Sequence, residues 1–167
     1  MKKTVLTYGF ISGGIAAALM LATLPFMDGG GKGYIFGYTG IVLSALLVFF
    51  GVRSYRENVG GGRISFGRGF AVGILITLIS CSCYVATWQL IYYKISPGIG
   101  DKIFNGQIER LKTSGAPQEK IDAAERQAKF FKKIAANPFL HVGMTFIEPF
   151  PIGLAITAIS AAILRRK

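Results

Sequence analysis

Four long stretches of this chain carry almost no charge, and that feature narrows its folds more than any other. Thr4–Met27, Tyr34–Val52 and Ala71–Tyr93 hold no Asp, Glu, Lys or Arg, and Pro138–Leu164 adds only His141 and Glu148. A helix needs roughly 20 apolar residues to cross a hydrocarbon core of about 30 Å, and every block is near or above that length. Lipid offers no partner to an unpaired N–H or C=O, so each block is expected to be helical. A soluble domain of 167 residues would instead spread its apolar residues over periodic faces. The expected class is therefore an all-α polytopic membrane protein, a single membrane domain over 1–167 with spans of about 4–27, 34–52, 70–93 and 138–164.

Charge placement supports the same class. The net charge of +11 invites a nucleic-acid reading, but the cations cluster at span ends as membrane topology requires. Lys2 and Lys3, then Arg53, Arg56, Arg63 and Arg68, then Arg165, Arg166 and Lys167 all fall on one side of four spans. Only Lys32, with Asp28, lies in the short opposite turn, Asp28-Gly-Gly-Gly-Lys-Gly. Both termini and the loop 53–69 are then expected in the cytoplasm, in an inner (cytoplasmic) membrane, with Arg53, Arg56, Arg63 and Arg68 against anionic lipid headgroups. Gly60-Gly61-Gly62-Arg63 looks like a phosphate loop only superficially, lacking the Gly-Lys-Ser/Thr ending and a preceding strand. The start, MKKTVLTYGFISGG, has a basic head like a signal peptide, but its apolar run continues to Met27, and a retained first span is expected.

The segment 94–137 is different, with nine Lys/Arg and five Asp/Glu. Ile103, Phe104, Ile108 and Leu111 recur at helical spacing, and Gly115 is placed to end that helix. Pro117 suits the start of another, in which Ile121, Ala124, Ala128, Phe131 and Ile134 or Ala135 share a face, with Lys129, Lys132 and Lys133 in the last turns. The expectation is an extracytoplasmic helical hairpin between spans three and four that caps the bundle or lies on the outer headgroups.

Small residues point to how the spans pack. Gly9 and Gly13, then Gly69 and Gly73, form GxxxG pairs, and Gly153, Thr157 and Ala161 form a similar row. These faces serve contacts within one bundle or between copies in a homo-oligomer. GFISG at Gly9 and GFAVG at Gly69, with GIVLSA at Gly40 and GLAITA at Gly153, suggest two duplicated hairpins in parallel orientation. Cys81 and Cys83, two residues apart, point to different helix faces and are expected to be packing residues, neither a disulfide nor a metal pair.

Glu148 stands between apolar neighbours in FIEPFPIG. About 10–15 Å of helix separate it from the outer end of its span. An acid near mid-bilayer costs roughly 2.5–3.5 kcal/mol on insertion scales and normally faces protein or water. His141, Thr145, Glu148 and Ile152 follow one stripe, and matching depth in the other spans falls near Tyr84, Thr87 and Ser44. Glu148 is thus expected inside the bundle beside one of those three. Pro149 and Pro151 each remove a backbone donor, so a kink or break is expected between Thr145 and Gly153. The protonatable Glu148 either locks helix packing or handles a proton or ion. His141 is expected at the outer interface, without the second ligand a metal needs. Trp88, Tyr92 and Tyr93 are expected in the outer aromatic belt.

The four spans, the link VRSYRENVGGGRISFGRGF and the closing FIEPFPIGLAITAISAAILRRK resemble the small bacterial membrane proteins grouped as domain-of-unknown-function family 4199. The resemblance covers nearly the whole chain and is most specific at Tyr55-Arg56, Ile64-Ser65-Phe66 and Glu148 to Gly153. It implies a multi-pass membrane protein and brings no reaction, substrate or catalytic residue. No nucleophile-base pair, paired acids or metal cluster is apparent, so no enzyme activity and no cofactor are expected. The expected role is a structural or assembly component, and the competing one a small transporter or channel that uses Glu148.

Overall fold

The structure, a computed structural model, describes residues 1–27 and 31–166, with 31–34 described by their backbone alone. The side chains of Asp28 and Lys32, and Lys167, lie outside the described residues. The first span is α1 (Lys2–Thr23) with a short 3-10 turn, Leu24–Phe26. The second is α2 (Gly31–Asn58), and the third is α3 (Phe66–Leu90) ending in a π-helical turn, Ile91–Ile95. Then come α4 (Ile99–Thr113) and α5 (Gln118–Ala135), and the fourth apolar block folds as α6 (Pro138–Ile147) and α7 (Phe150–Leu164). Four segments are long and apolar enough to cross a membrane: Lys2–Phe26, Ile35–Asn58, Phe66–Ile95 and Pro138–Leu164. The described residues form no strand. A lone antiparallel bridge joins Ile64 to Arg166 and holds the chain end against the loop after α2.

Local chemistry explains the helix ends. Ser65 caps α3 by accepting from the Arg68 N–H at 3.3 Å. Asn137 caps α6 by accepting from Phe139 and Leu140, and Pro138 occupies the first turn, where its missing donor costs nothing. Gly115 adopts a φ of +67° just past α4, the left-handed turn that glycine accepts at no steric cost. The loop expected over 53–69 is shorter than it looked. Arg53 and Arg56 lie on the last turns of α2 and Arg68 on the first turn of α3, because a helix leaving hydrocarbon keeps its internal hydrogen bonds.

The helix α3 is the centre of the bundle, packed against α1, α2, α6 and α7, while α2 also packs against α1 and α7. Glycine sets these approaches. A Cβ on Gly13 would sit 2.5 Å from Cys83 Cβ, and one on Gly9 2.8 Å from Ile79 Cβ, so the first GxxxG row lies on α3. A Cβ on Gly73 would sit 2.8 Å from Thr157 Cγ2, and one on Gly153 2.5 Å from Thr77 Cγ2, so the second row lies on α7. Both faces are thus filled within one chain. The two rows meet non-equivalent partners: α1 presents its glycines to α3, whereas α3 presents its own to the fourth span. A strict duplication of hairpins would have turned Gly9 and Gly13 toward α2.

Within lipid, helices gain little hydrophobic force from pairing, so van der Waals contact and interhelical hydrogen bonds carry the association. Val48, Val52, Val72 and Ile76 fill the inner part of the bundle with Tyr55 and Leu164. Outward, Phe10 is 60% exposed, Ile35 67% and Ile163 66%, an apolar perimeter that suits a bilayer and would be unstable in water.

Neighbouring glycines on α1 provide a test. Gly13 is buried, whereas Gly14 is exposed, and a Cβ added there would meet nothing within 4 Å. Gly13→Leu should destabilise by about 1–3 kcal/mol through overpacking, whereas Gly14→Leu should stay within about 0.5 kcal/mol of the parent. Thermal unfolding in detergent followed by circular dichroism checks both, and equal effects would contradict the packing.

Candidate functional site

The fourth span breaks where its prolines fall. The helix α6 ends at Ile147, Glu148 and Pro149 form a turn, and α7 resumes at Phe150. Pro149 and Pro151 cannot donate to the carbonyls one turn earlier, so one continuous helix would leave Thr145 and Ile147 without those bonds. The break changes the packing as well. The helix α7 lies against α2 and α3, whereas α6 lies against α3 and α5. Among the described residues, span four thus turns from α2 toward α5 outward of Glu148.

At that level the Tyr84 hydroxyl donates to Glu148 Oε2 at 3.1 Å. Of the three neighbours expected for Glu148, Tyr84 alone reaches it. Thr87 turns its hydroxyl back to the Cys83 carbonyl of its own helix, at 2.9 Å. Ser44 donates to the Ile41 carbonyl. Thr145, expected on the same stripe, donates to the His141 carbonyl at 2.8 Å. Glu148 is also not enclosed as expected. It is exposed at the side of the bundle, and Pro149 is buried in its place. The turn after Ile147 rotates the stripe, so the register that buries His141 and Thr145 does not carry through to residue 148.

Below this pair, hydroxyls join the helices. Ser12 Oγ donates to the Ser44 carbonyl at 2.7 Å and lies 2.9 Å from Ser80 Oγ, tying α1, α2 and α3 at one point. Thr77 Oγ1 lies 3.0 Å from Thr157 Oγ1 and donates to the Gly153 carbonyl at 3.4 Å. Ser12, Thr77, Thr157 and Ser160 are almost completely buried. A cavity of about 20 Å³, room for one water, is lined by Ser44, Thr77, Ser80, Cys81 and Pro149 among others. Another of about 10 Å³ lies between Met20, Gly40, Ile41 and Tyr84. Sequence reasoning placed Thr157 in the small-residue row of span four but missed Ser12, Ser80 and Thr77. Their signal was the position of each hydroxyl on a glycine-bearing face.

Above it, His141 is fully buried against neighbouring helices, close to the start of α6. Trp88 Nε1 donates to His141 Nε2 at 3.3 Å. An indole N–H can only donate, so Nε2 carries the lone pair of a neutral ring and the proton sits on Nδ1, which is buried with no partner among the described residues. Ring centroids of Tyr92, Phe131 and Tyr93 lie 4.4, 5.5 and 5.8 Å away, each near edge-on. Trp88 and Tyr92 therefore serve this cluster, which pins α5 and α6 to α3. Tyr93 is 39% exposed and donates to the Ala135 carbonyl. The pair α4 and α5 packs antiparallel through Phe104 and Phe131, 5.1 Å apart, with Lys132 to Asp101 and Lys112 to Glu125 as exposed ion pairs.

At the opposite end, Arg53, Arg63, Arg68, Arg165 and Arg166 are exposed. Arg56 is half-buried, paired with Glu57 and donating to the Leu164 carbonyl at 3.5 Å. Cys81 and Cys83 are free thiols, Cys83 seated against Gly13. Among the described residues no group of three or more His, Cys, Asp or Glu converges as metal ligands would.

A family model described as protein of unknown function (DUF4199) matches residues 7–166, and the chain belongs to that family. No curated protein and no solved structure matches it.

Two substitutions test the site. A Tyr84→Phe/Glu148→Gln double-mutant cycle, read by unfolding in detergent, should give a coupling of about 0.6 kcal/mol, within the range up to about 1.7 measured for membrane hydrogen bonds. Zero coupling would mean that the bond does not form. Trp88→Phe, which leaves His141 Nε2 buried without a donor, should cost about 1–3 kcal/mol, and a neutral result in the same assay would contradict the cluster.

Proposed function

We propose, since membership of that family brings no activity with it, that this multi-pass membrane protein is a structural or assembly component of its membrane. The observation that carries this reading is how tightly the described residues fill the bundle interior. Among the described residues, glycine contacts bring α1 and α7 onto α3, hydroxyl pairs join the helices where they meet, and two cavities beside Tyr84 and Pro149 hold about 10 and 20 Å³. A solute pathway needs a connected, wider space, whereas a rigid block that other molecules pack against needs this one.

In this reading the chain sits in a bacterial inner membrane with both termini in the cytoplasm. The exposed Arg53, Arg63, Arg68, Arg165 and Arg166 meet anionic headgroups there, and Arg56 joins them from its half-buried position. The pair α4 and α5 then lies on the outer side. The chain performs no chemistry on a substrate.

A second reading has one observation in its favour. Glu148 is open to the side of the bundle and hydrogen-bonded to Tyr84, above a column of hydroxyls, which is an arrangement that a proton carrier uses. Proton flux separates the two. Reconstituted in liposomes with a trapped pH dye, the protein should give a proton leak equal to that of protein-free liposomes, unchanged by Glu148→Gln. A wild-type flux above background that Glu148→Gln abolishes would overturn the assembly reading.

A further inference from the structure

Glu148 lies ten steps along the chain from Pro138 and sixteen from Leu164, the ends of its span. At 1.5 Å per residue these are about 15 Å and 24 Å of helix, which places the carboxyl well inside the hydrocarbon. Acids at such depth face the bundle interior or water and pair with another group. Glu148 instead opens to the side of the bundle, where span four turns from α2 toward α5. Its one hydrogen-bond partner among the described residues is Tyr84, which reaches Oε2 and leaves Oε1 unbonded. The surface beside it is apolar, with Ile147 68% exposed and Met144 38% exposed on α6.

We propose that Glu148, held by Tyr84, is a lateral docking point for a transmembrane helix of a different protein that carries a Lys or Arg at the matching depth. Charge complementarity selects a cation, because a basic side chain in lipid has the same need for a partner as the acid. A second copy of this chain cannot supply it. The apolar blocks Thr4–Met27, Tyr34–Val52, Ala71–Tyr93 and Pro138–Leu164 contain no Lys or Arg. An enclosed small cation does not fit either, since hard cations take about six to eight oxygen ligands and among the described residues no group of three or more His, Cys, Asp or Glu converges. A helix laid along the open side needs no cavity. It covers Ile147 and Met144 with apolar side chains and reaches the carboxylate with one long basic one. Tyr84 contributes by fixing one oxygen, so that the other stands ready for the incoming cation.

The inference rests on the assembly reading and names the partner's chemistry. The test uses full-length protein carrying a fluorescent donor in liposomes, with acceptor-labelled single-span peptides as probes. One peptide has a polyleucine core with a Lys about 15 Å from one end, one has the Lys moved to the terminal turn, and one has no Lys. The wild type should bind the first about tenfold more tightly than the others, the lower range for close charge pairs. Glu148→Gln should remove the preference. Glu148→Lys should reverse it toward a peptide bearing Glu at that depth, and this charge swap protects the test against a variant that merely misfolds. Equal transfer with all three peptides, or a Lys preference that survives Glu148→Gln, would overturn the docking point. Neither result touches the liposome flux, on which the assembly reading stands or falls separately.

Discussion

Close approach of backbones at the glycines facing α3 and α7 is the contact on which the rest of this structure depends. In water a four-helix bundle is driven together by its apolar stripes, but in lipid the tails solvate those stripes as well as another helix does. What remains is contact area and hydrogen bonding, and both require short interhelical distances. Gly9 and Gly13 give α1 that proximity to α3, and Gly73 and Gly153 give it to α3 and α7. Only at such separations can Ser12 reach both Ser44 and Ser80, and Thr77 reach Thr157. The small residues and the hydroxyls are therefore one device: the first creates the proximity and the second uses it.

The break in span four divides the molecule along the membrane normal. From Phe150 inward, α7 completes a tight bundle with α1, α2 and α3, ending where Arg56 and the Ile64–Arg166 bridge tie down the chain end. Outward of the break, α6 turns to α5 and α3, and the ring cluster around His141 replaces glycine packing as the adhesive. Glu148 sits at the seam between these two packing regimes. A seam is where polar surface can be left open without loosening the bundle, since neither half relies on it. The same prolines that free the seam also stop α6 from closing against α2, which is why the acid faces outward there.

Much of this architecture was legible from residues alone. The uncharged blocks gave the spans, Gly115 and Pro117 marked the boundary between α4 and α5, and the two prolines located the break within a few residues. Depth along a helix was legible too, since Tyr84 was among the residues placed level with Glu148. Rotation about the helix axis was not. Thr87 and Ser44 lie at comparable depth, yet their hydroxyls return to their own backbones, and nothing in the spacing tells one orientation from the other. The ring cluster around His141 was hidden for a related reason: its partners Trp88, Tyr92 and Phe131 come from two other helices whose convergence only the fold reveals. The open side at Glu148 was hidden because a stripe argument assumes one continuous helix through residues 141 to 152.

All of this requires that the apolar perimeter beside the seam lies in hydrocarbon and not in water. Ile147, next to Glu148 and 68% exposed, is the position to probe. A nitroxide on Ile147→Cys, in a chain with Cys81 and Cys83 changed to Ala and reconstituted in liposomes, would report its surroundings through collisions with dissolved oxygen and with a water-soluble nickel complex. A perimeter in hydrocarbon predicts frequent collisions with oxygen and few with nickel. Frequent collisions with nickel and few with oxygen would place the seam in water and contradict it.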